Sequence, residues 1–221
     1  MYKVLTKIIV ARLRPFLGKL ISPLQMAFVP GRKGMDNVII AQEIIHSLSR
    51  KKGNTGYMAI KIDLEKAYDK LEWSFIRDTL IRFNLPRNLV ELIMSCVSSV
   101  STSILFNGGT LDSFKPSRGI RQGDPLSPYI FIMCMDYLGQ LIQEKCATKA
   151  WSPVKASRSG PAFSHLSSQT TWFCLRELIL KIVQQLEEFW MIFAVNRGKP
   201  SVRPNLGSFS LLIWIKTIGM P

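Results

Sequence analysis

Acidic residues are scarce in this chain: 15 Asp and Glu stand against 29 Lys and Arg over 221 residues, a formal net charge of +14, and no aspartate follows Asp136. A surface so short of carboxylates attracts polyanions, either nucleic acid or an anionic membrane surface. Histidine is limited to His46 and His165. Read singly, the first is a helix-surface residue and the second a linker residue, and neither suggests a ligand. Cysteine is limited to Cys96, Cys134, Cys146 and Cys174 with no Cys-x-x-Cys spacing, so neither a zinc site nor a disulfide framework is indicated. A reducing, intracellular setting, nuclear or cytoplasmic, is the expectation. Long apolar runs are lacking too: Asp136 interrupts the run that begins at Tyr129, and no basic n-region with a cleavage site opens the chain. No membrane span is expected. No internal repeat occurs, and the length suits one substantial core.

What is present reads as a succession of short elements. Hydrophobic spacing predicts a helix over 2–20 with a bend at Arg14-Pro15, and another over 36–49 with Val38, Ala41, Ile45 and Leu48 on its inner side. Gly53 to Gly56 then turns the chain into a strand, in which Met58, Ile60 and Ile62 alternate with Ala59, Lys61 and Asp63. That is the period of a strand with one face packed and one open. Short helices are expected over 74–83 and 86–98, and a hairpin over 101–107 and 113–117 turning through Gly108-Gly109. Residues 119–128 read as a loop feeding a long helix. Asp124 would be its N-cap and Pro125 its first residue, with Leu126, Tyr129, Ile130, Met133, Leu138, Leu141 and Ile142 as its apolar stripe. Farther on, 181–190 is amphipathic, whereas 197–221 mixes Pro, Gly, Ser and Trp without a period and is expected to pack poorly.

Two stretches carry chemistry. In Ile60-Lys61-Ile62-Asp63-Leu64-Glu65-Lys66-Ala67-Tyr68-Asp69, Asp63 lies at the end of the strand, where a carboxylate suits Mg²⁺, an ion that takes few protein ligands and keeps water and phosphate positions open. Capping the following turn is the simpler reading of Asp63 on the local pattern alone. Tyr68 suits either a half-buried core position or a stacking surface with a polar tip. The second stretch is Gly119-Ile120-Arg121-Gln122-Gly123-Asp124-Pro125-Leu126-Ser127-Pro128. A capped helix does not require the Arg-Gln-Gly ahead of it, and a glycine there lets backbone approach a ligand closely.

In this order the two stretches resemble the metal-aspartate and template-gripping motifs of LINE-type, non-LTR retrotransposon reverse transcriptases, plant ones in particular, over residues 2–146. Gln25-Met26-Ala27-Phe28-Val29-Pro30-Gly31-Arg32 resembles the fingers motif that precedes them. The resemblance implies an α+β polymerase palm with partial fingers, in which a small antiparallel sheet packs on helices. Residues 1–56 would form the N-terminal helices and partial fingers and 57–166 the palm, leaving 167–221 as a degenerate segment. It implies an RNA-directed DNA polymerase, a nucleotidyltransferase adding deoxynucleotides to a DNA primer on an RNA template, with Mg²⁺ as cofactor. By the same resemblance Asp63 is the catalytic, metal-holding residue. Arg32 and Lys61 face phosphates, Tyr68 excludes a 2′-hydroxyl, and Arg121, Gln122 and Gly123 line the template site. Family members carry strands and an endonuclease ahead of the segment matched here, so the chain reads as truncated. A basic, non-catalytic nucleic-acid-binding remnant is the alternative.

The family follows the long helix with a hairpin bearing Phe-Ala-Asp-Asp, whose aspartates complete the metal site. Residues 151–166 still resemble the approach to that hairpin, but the next residues are Ser167-Ser168-Gln169-Thr170-Thr171-Trp172-Phe173-Cys174-Leu175. Codons for these nine, read one nucleotide earlier, can spell Phe-Phe-Ala-Asp-Asp-Leu-Val-Leu-Phe. A single-base deletion near the Leu166 codon explains this, and 186–189 and 194–199 resemble the family again as if the frame were regained. Chance, or a reading frame wrongly spliced around a damaged gene copy, would leave the same residues. Activity of the chain as written is not expected.

Overall fold

The computed structural model describes residues 2–50, 56–64, 66–157, 159–167, 171–178 and 209–216. Two compact units interleave in sequence: Met1–Leu20 with Lys66–Cys134, and Ile21–Glu65 with Met135–Pro221. Segments 1–56 and 57–166 therefore each contribute to both units.

The first unit is mainly helical. α1 (Tyr2–Leu13) continues through a 3₁₀ turn (Arg14–Phe16) into α2 (Leu17–Leu20). Pro15 explains the 3₁₀ turn, since it cannot donate the bond that an α-helix needs. Thr6, Ile9, Leu13 and Leu17, spaced three or four apart, form the buried side. After the single turn α4 (Ala67–Lys70), α5 (Trp73–Arg82) and α6 (Arg87–Ser98) pack as a helical hairpin. Asn84 takes the left-handed conformation (φ 56°) that ends helices, and the Leu85 N–H closes the end by donating to the Leu80 carbonyl at 3.3 Å. β2 (Leu105–Phe106) and β3 (Gly109–Thr110) form a hairpin whose second strand precedes the 113–117 read in the sequence, where only a bridge from Thr102 to Phe114 occurs, and they turn through Asn107-Gly108, both with positive φ (47° and 78°). Asn-Gly is the pair that this type of two-residue turn favours, which moves the turn one residue from the position read in the sequence.

α7 (Ser127–Ala147) gives residues up to Cys134 to the first unit and from Met135 onward to the second. It starts two residues later than read. Asp124 does not cap it. Asp124 Oδ1 instead accepts from the Leu126 N–H at 2.9 Å, fixing the turn ahead of the helix. Burial extends over every residue from Ile130 to Asp136, so no single stripe describes it, and Tyr129 and Leu141 are only half-buried.

In the second unit, α3 (Gly34–Arg50) buries Asn37, Ala41, Ile44 and Leu48, while Val38 is 45 % exposed. The inner face is rotated from the one read because Asn37 is drawn inward: its amide donates to the carbonyls of Leu24 (3.1 Å) and Ser167 (2.7 Å). β1 (Gly56–Leu64) lies in a four-stranded antiparallel sheet of order β6-β7-β1-β8, with β6 (His165–Ser167), β7 (Thr171–Leu178) and β8 (Phe209–Lys216). β4 (Val154–Lys155) and β5 (Ala162–Phe163) pair separately. In chain order the four sheet strands lie 2-3-1-4, the arrangement of a split β-α-β fold. Ala59 packs into a cluster with Ala41, Ile44, Leu48, Val154 and Leu166, so β1 is covered on both faces at Ala59 and Ile60 and its open face does not extend that far back.

Two further readings change. His165 is no linker residue: it is 1 % exposed within β6. Residues 209–216, expected to pack poorly, form a sheet strand paired with β1 along its whole length, helped by the run Ile213-Trp214-Ile215 of β-branched and aromatic residues. The amphipathic stretch 181–190 and the turn residues 53–55 lie outside the described residues.

Candidate functional site

The sequence-predicted residues divide between the units. Arg32, Lys61 and Asp63 belong to the second, and Tyr68, Arg121, Gln122 and Gly123 to the first.

In the second unit, Asp63 is the penultimate residue of β1. It is flanked in register by Thr171 of β7 and Ser210 of β8, and Lys61 by Phe173 and Leu212. Directly opposed residues of antiparallel strands share a face, and neither register partner of Asp63 is an Asp or Glu. Arg32 is half-buried and its guanidinium is turned onto backbone. Nη1 donates to the carbonyls of Ser22 and Gln25 (2.6 Å for Gln25), and Nη2 to Ile21 at 3.0 Å. The same turn is tied from the other side, where the Ser22 N–H donates to Asp136 Oδ1 at 2.9 Å. Asp136 is 2 % exposed and also accepts from Gln140 Nε2 at 3.2 Å. Burial raises its pKa; those two hydrogen bonds and the nearby Arg32 charge oppose the rise. Arg32 and Asp136 thus brace the segment 21–25 together. Sequence reading found only one of the pair, although a lone acid within an apolar helical run was a signal for the other.

In the first unit, the loop carrying Arg121, Gln122 and Gly123 is strapped to the turn carrying Tyr68. The Ile120 N–H donates to the Tyr68 carbonyl (2.8 Å), Gly119 N–H to Leu71 (2.7 Å), and Trp73 Nε1 to Gly119 (2.9 Å). Gly119 has φ +89°, and a Cβ there would sit 3.0 Å from the Asp69 carbonyl oxygen, so only glycine permits this approach. Gly123 has φ +84° and open space beside it, and Arg121, Gln122 and Gly123 are all exposed. Tyr68 stacks on Phe131 with ring centroids 4.8 Å apart, and burial raises the pKa of its phenol.

Sequence reasoning missed what holds Arg121. Its guanidinium lies 4.8 Å from the centroid of the Tyr2 ring, within the range of a cation–π contact. The Tyr2 hydroxyl donates to Asp124 Oδ2 (2.5 Å) and lies 3.0 Å from the Cys96 carbonyl oxygen. Burial, followed by the Asp124 hydrogen bond, raises its pKa. Tyr2 and Asp124 are 122 positions apart, a pairing that no periodicity announces.

Among the described residues no three His, Cys, Asp or Glu side chains are grouped so as to hold a metal ion, and no helix is long and apolar enough to cross a membrane.

A family model described as reverse transcriptase (RNA-dependent DNA polymerase) matches residues 1–159. The chain belongs to that family. Relatives within it include retrotransposon proteins of the R2 and TX1 elements, and their similarity makes this a LINE-type reverse transcriptase segment. A Pol polyprotein from the type-2 retrotransposable element R2DM of Drosophila melanogaster is 31% identical over 132 residues, which is 60% of this chain and 12% of the relative. A 149 kDa protein of transposon TX1 from Xenopus laevis is 27% identical over 135 residues, 61% of this chain and 10% of the relative. The chain thus spans about a tenth of these two relatives. Telomerase structures share the fold. Candida albicans telomerase in complex with a fragment of telomeric RNA gives a TM-score of 0.54 at 14% identity, covering 94% of this chain and 33% of that one. Apo telomerase from Candida tropicalis gives 0.55 at 11% identity, covering 96% and 37%.

Proposed function

We propose that this chain is a reverse transcriptase segment, an RNA-directed DNA polymerase by descent, that holds nucleic acid but does not extend a primer as written. The observation that carries this reading is the register of Asp63. Its partner on β7 is Thr171, the residue at which the reading frame one nucleotide earlier spells the second aspartate of the missing motif. A shifted frame that kept the strand and changed its residues would leave this pattern: hairpin position retained, carboxylates lost. The family match ends at residue 159, ahead of the altered stretch. With Thr171 and Ser210 as the register partners of Asp63, the described residues do not fit a two-magnesium site, and no catalytic step is assigned through those ions.

Arg121, Gln122 and Gly123 are proposed to line the template, on a loop whose conformation is fixed from both sides. Tyr68, braced by Phe131, lies under the incoming sugar. Lys61 faces phosphate. Arg32 has its terminal nitrogens on backbone carbonyls, so its proposed contribution to phosphate binding is to shape the 21–25 turn and supply positive charge.

Nucleic-acid binding, common to the catalytic and non-catalytic readings, is supported by the charge of +14. Binding of RNA, or of an RNA and DNA hybrid, is expected without sequence preference. With roughly four to six phosphates contacted, affinity should fall about 10²- to 10³-fold between 50 and 200 mM salt, because each released counterion gains less entropy in the saltier solution. Fluorescence titration of labelled duplexes at several salt concentrations measures this. An affinity indifferent to salt would defeat the electrostatic account.

A further inference from the structure

The N-terminal helical segment carries a charge pattern that the catalytic reading does not use. Lys3, Lys7, Arg12, Arg14 and Lys19 lie within the first twenty residues, which contain no acidic residue at all. All five are exposed. Elsewhere in the same unit arginines are matched with acids, Arg77 with Glu91 and Arg118 with Glu72. Among the described residues none of the five N-terminal cations makes an ion pair.

Their placement follows from helix geometry. With the buried line Thr6, Ile9, Leu13 and Leu17 fixing the inner side, a repeat of about 3.6 residues puts Lys3, Lys7 and Arg14 along one outer edge and Arg12 and Lys19 along the opposite one. Val4 and Ile8, 61% and 49% exposed, lie between the two edges. A helix that lies on a membrane segregates one broad apolar face, with bulky residues, from one polar face. Here the exposed apolar residues, Val4, Leu5 and Ile8 with Phe16 in the 3₁₀ turn, share their arc of the helix with Arg12 and Lys19, so no apolar face is segregated from the cations. Two rows of positive charge a helix width apart, about 10–12 Å, suit the two phosphate strands bordering a groove. The wide, shallow minor groove of an A-form duplex admits such a face, while its narrow major groove does not.

We propose that this outward face of α1 and α2 is a docking surface for the backbone of an RNA-containing duplex. The proposal rests on the nucleic-acid reading above and adds the location of the binding face and the form of the ligand. Each row binds one strand through its phosphates, Val4 and Ile8 lie against the sugar edges, and no base is read.

The test uses the full chain and a labelled RNA–DNA hybrid of about 20 base pairs, with the salt dependence measured for the unchanged protein and for Lys3→Gln, Lys7→Gln and Arg14→Gln combined. A control combines Lys33→Gln, Lys145→Gln and Lys149→Gln, exposed cations elsewhere, so that the net charge changes equally. Circular dichroism confirms that both variants are folded. The helix variant should lose at least tenfold in affinity at low salt, and its slope of log affinity against log salt should become shallower by about 0.9 for each phosphate no longer neutralised. The control should lose much less. Equal losses in the two variants would overturn the docking surface while leaving nucleic-acid binding intact. Failure of the unchanged chain to bind any duplex would overturn both readings. Binding to phosphatidylserine vesicles that depends on the same three residues, with duplex binding unaffected by them, would assign the face to a membrane.

Discussion

Supplied with poly(rA), an oligo(dT) primer, deoxythymidine triphosphate and Mg²⁺, the unchanged chain is expected to give no primer extension above background, while a competent reverse transcriptase in parallel extends fully. Two-metal phosphoryl transfer depends on several carboxylates that keep two cations close together and stabilise charge on the attacking and leaving oxygens. That stabilisation amounts to several kcal/mol, and each 1.36 kcal/mol is about a factor of ten in rate, so its loss lowers the rate by about 10³-fold or more. Glu65 and Asp69 are near Asp63 in sequence, but only Thr171 and Ser210 are opposite it in the sheet. Asp124 is already committed to Tyr2 and the Leu126 N–H. Template-dependent extension by the unchanged chain, abolished by Asp63→Ala, would show that the altered strand does not disable it.

The second large effect is on stability in acid. His165 is buried in β6 with Nδ1 3.0 Å from Ser164 Oγ, and burial lowers its pKa from 6.5 to about 4. The unfolded chain therefore binds a proton near pH 6.5 that the folded chain does not accept until about pH 4. Stability from this residue is fully present above pH 6.5 and falls as pH drops through that window, by about 3 kcal/mol at most. Asp136 acts with the opposite sign, because its raised pKa makes the folded state bind a proton more readily than the unfolded one. Comparing the unchanged chain with His165→Gln removes that contribution. Urea unfolding at pH 7, 5.5 and 4.5 should show the stability difference between the two proteins shrinking, or changing sign, as pH falls. Parallel curves would contradict the assignment.

The backbone course of the site was legible in the sequence where local patterns dominate. Alternation identified β1, apolar spacing identified the helices over 74–83 and 86–98 to within a residue, and the two motifs identified the family, whereas the hairpin turn reads one residue too late, at Gly108-Gly109 rather than Asn107-Gly108. Features set by distant partners were not legible. Asn37 is drawn inward by carbonyls at Leu24 and Ser167, which rotates α3 away from the face that apolar spacing alone selects. Asp124 looks like a cap because of its neighbours, yet it is held partly by Tyr2, 122 residues away. His165 looks like a linker residue because β6 is only three residues long and takes its place by pairing with β7 and by bonds from Ser167 to Leu24. Phe209–Lys216 sits in a stretch without a period, because pairing with β1 decides its conformation. The loss of the second carboxylate was legible, since a composition without aspartate after Asp136 needs no structure to be read.

The central claim is that Asp63 is the surviving half of a divided carboxylate site whose other half is missing at 170–171. It is tested most directly by calorimetric titration with Mg²⁺ of three proteins: the unchanged chain, the chain with Thr170→Asp and Thr171→Asp, and the latter carrying Asp63→Ala as well. Restricting the repair to these two positions leaves Ser167 in place, which is 1% exposed and bonded to Leu24 and would be overpacked by a larger residue. The account predicts no saturable site in the first protein, a saturable site in the second, and its loss in the third. Saturable binding by the unchanged chain, or a gain in the repaired chain that survives Asp63→Ala, would contradict it.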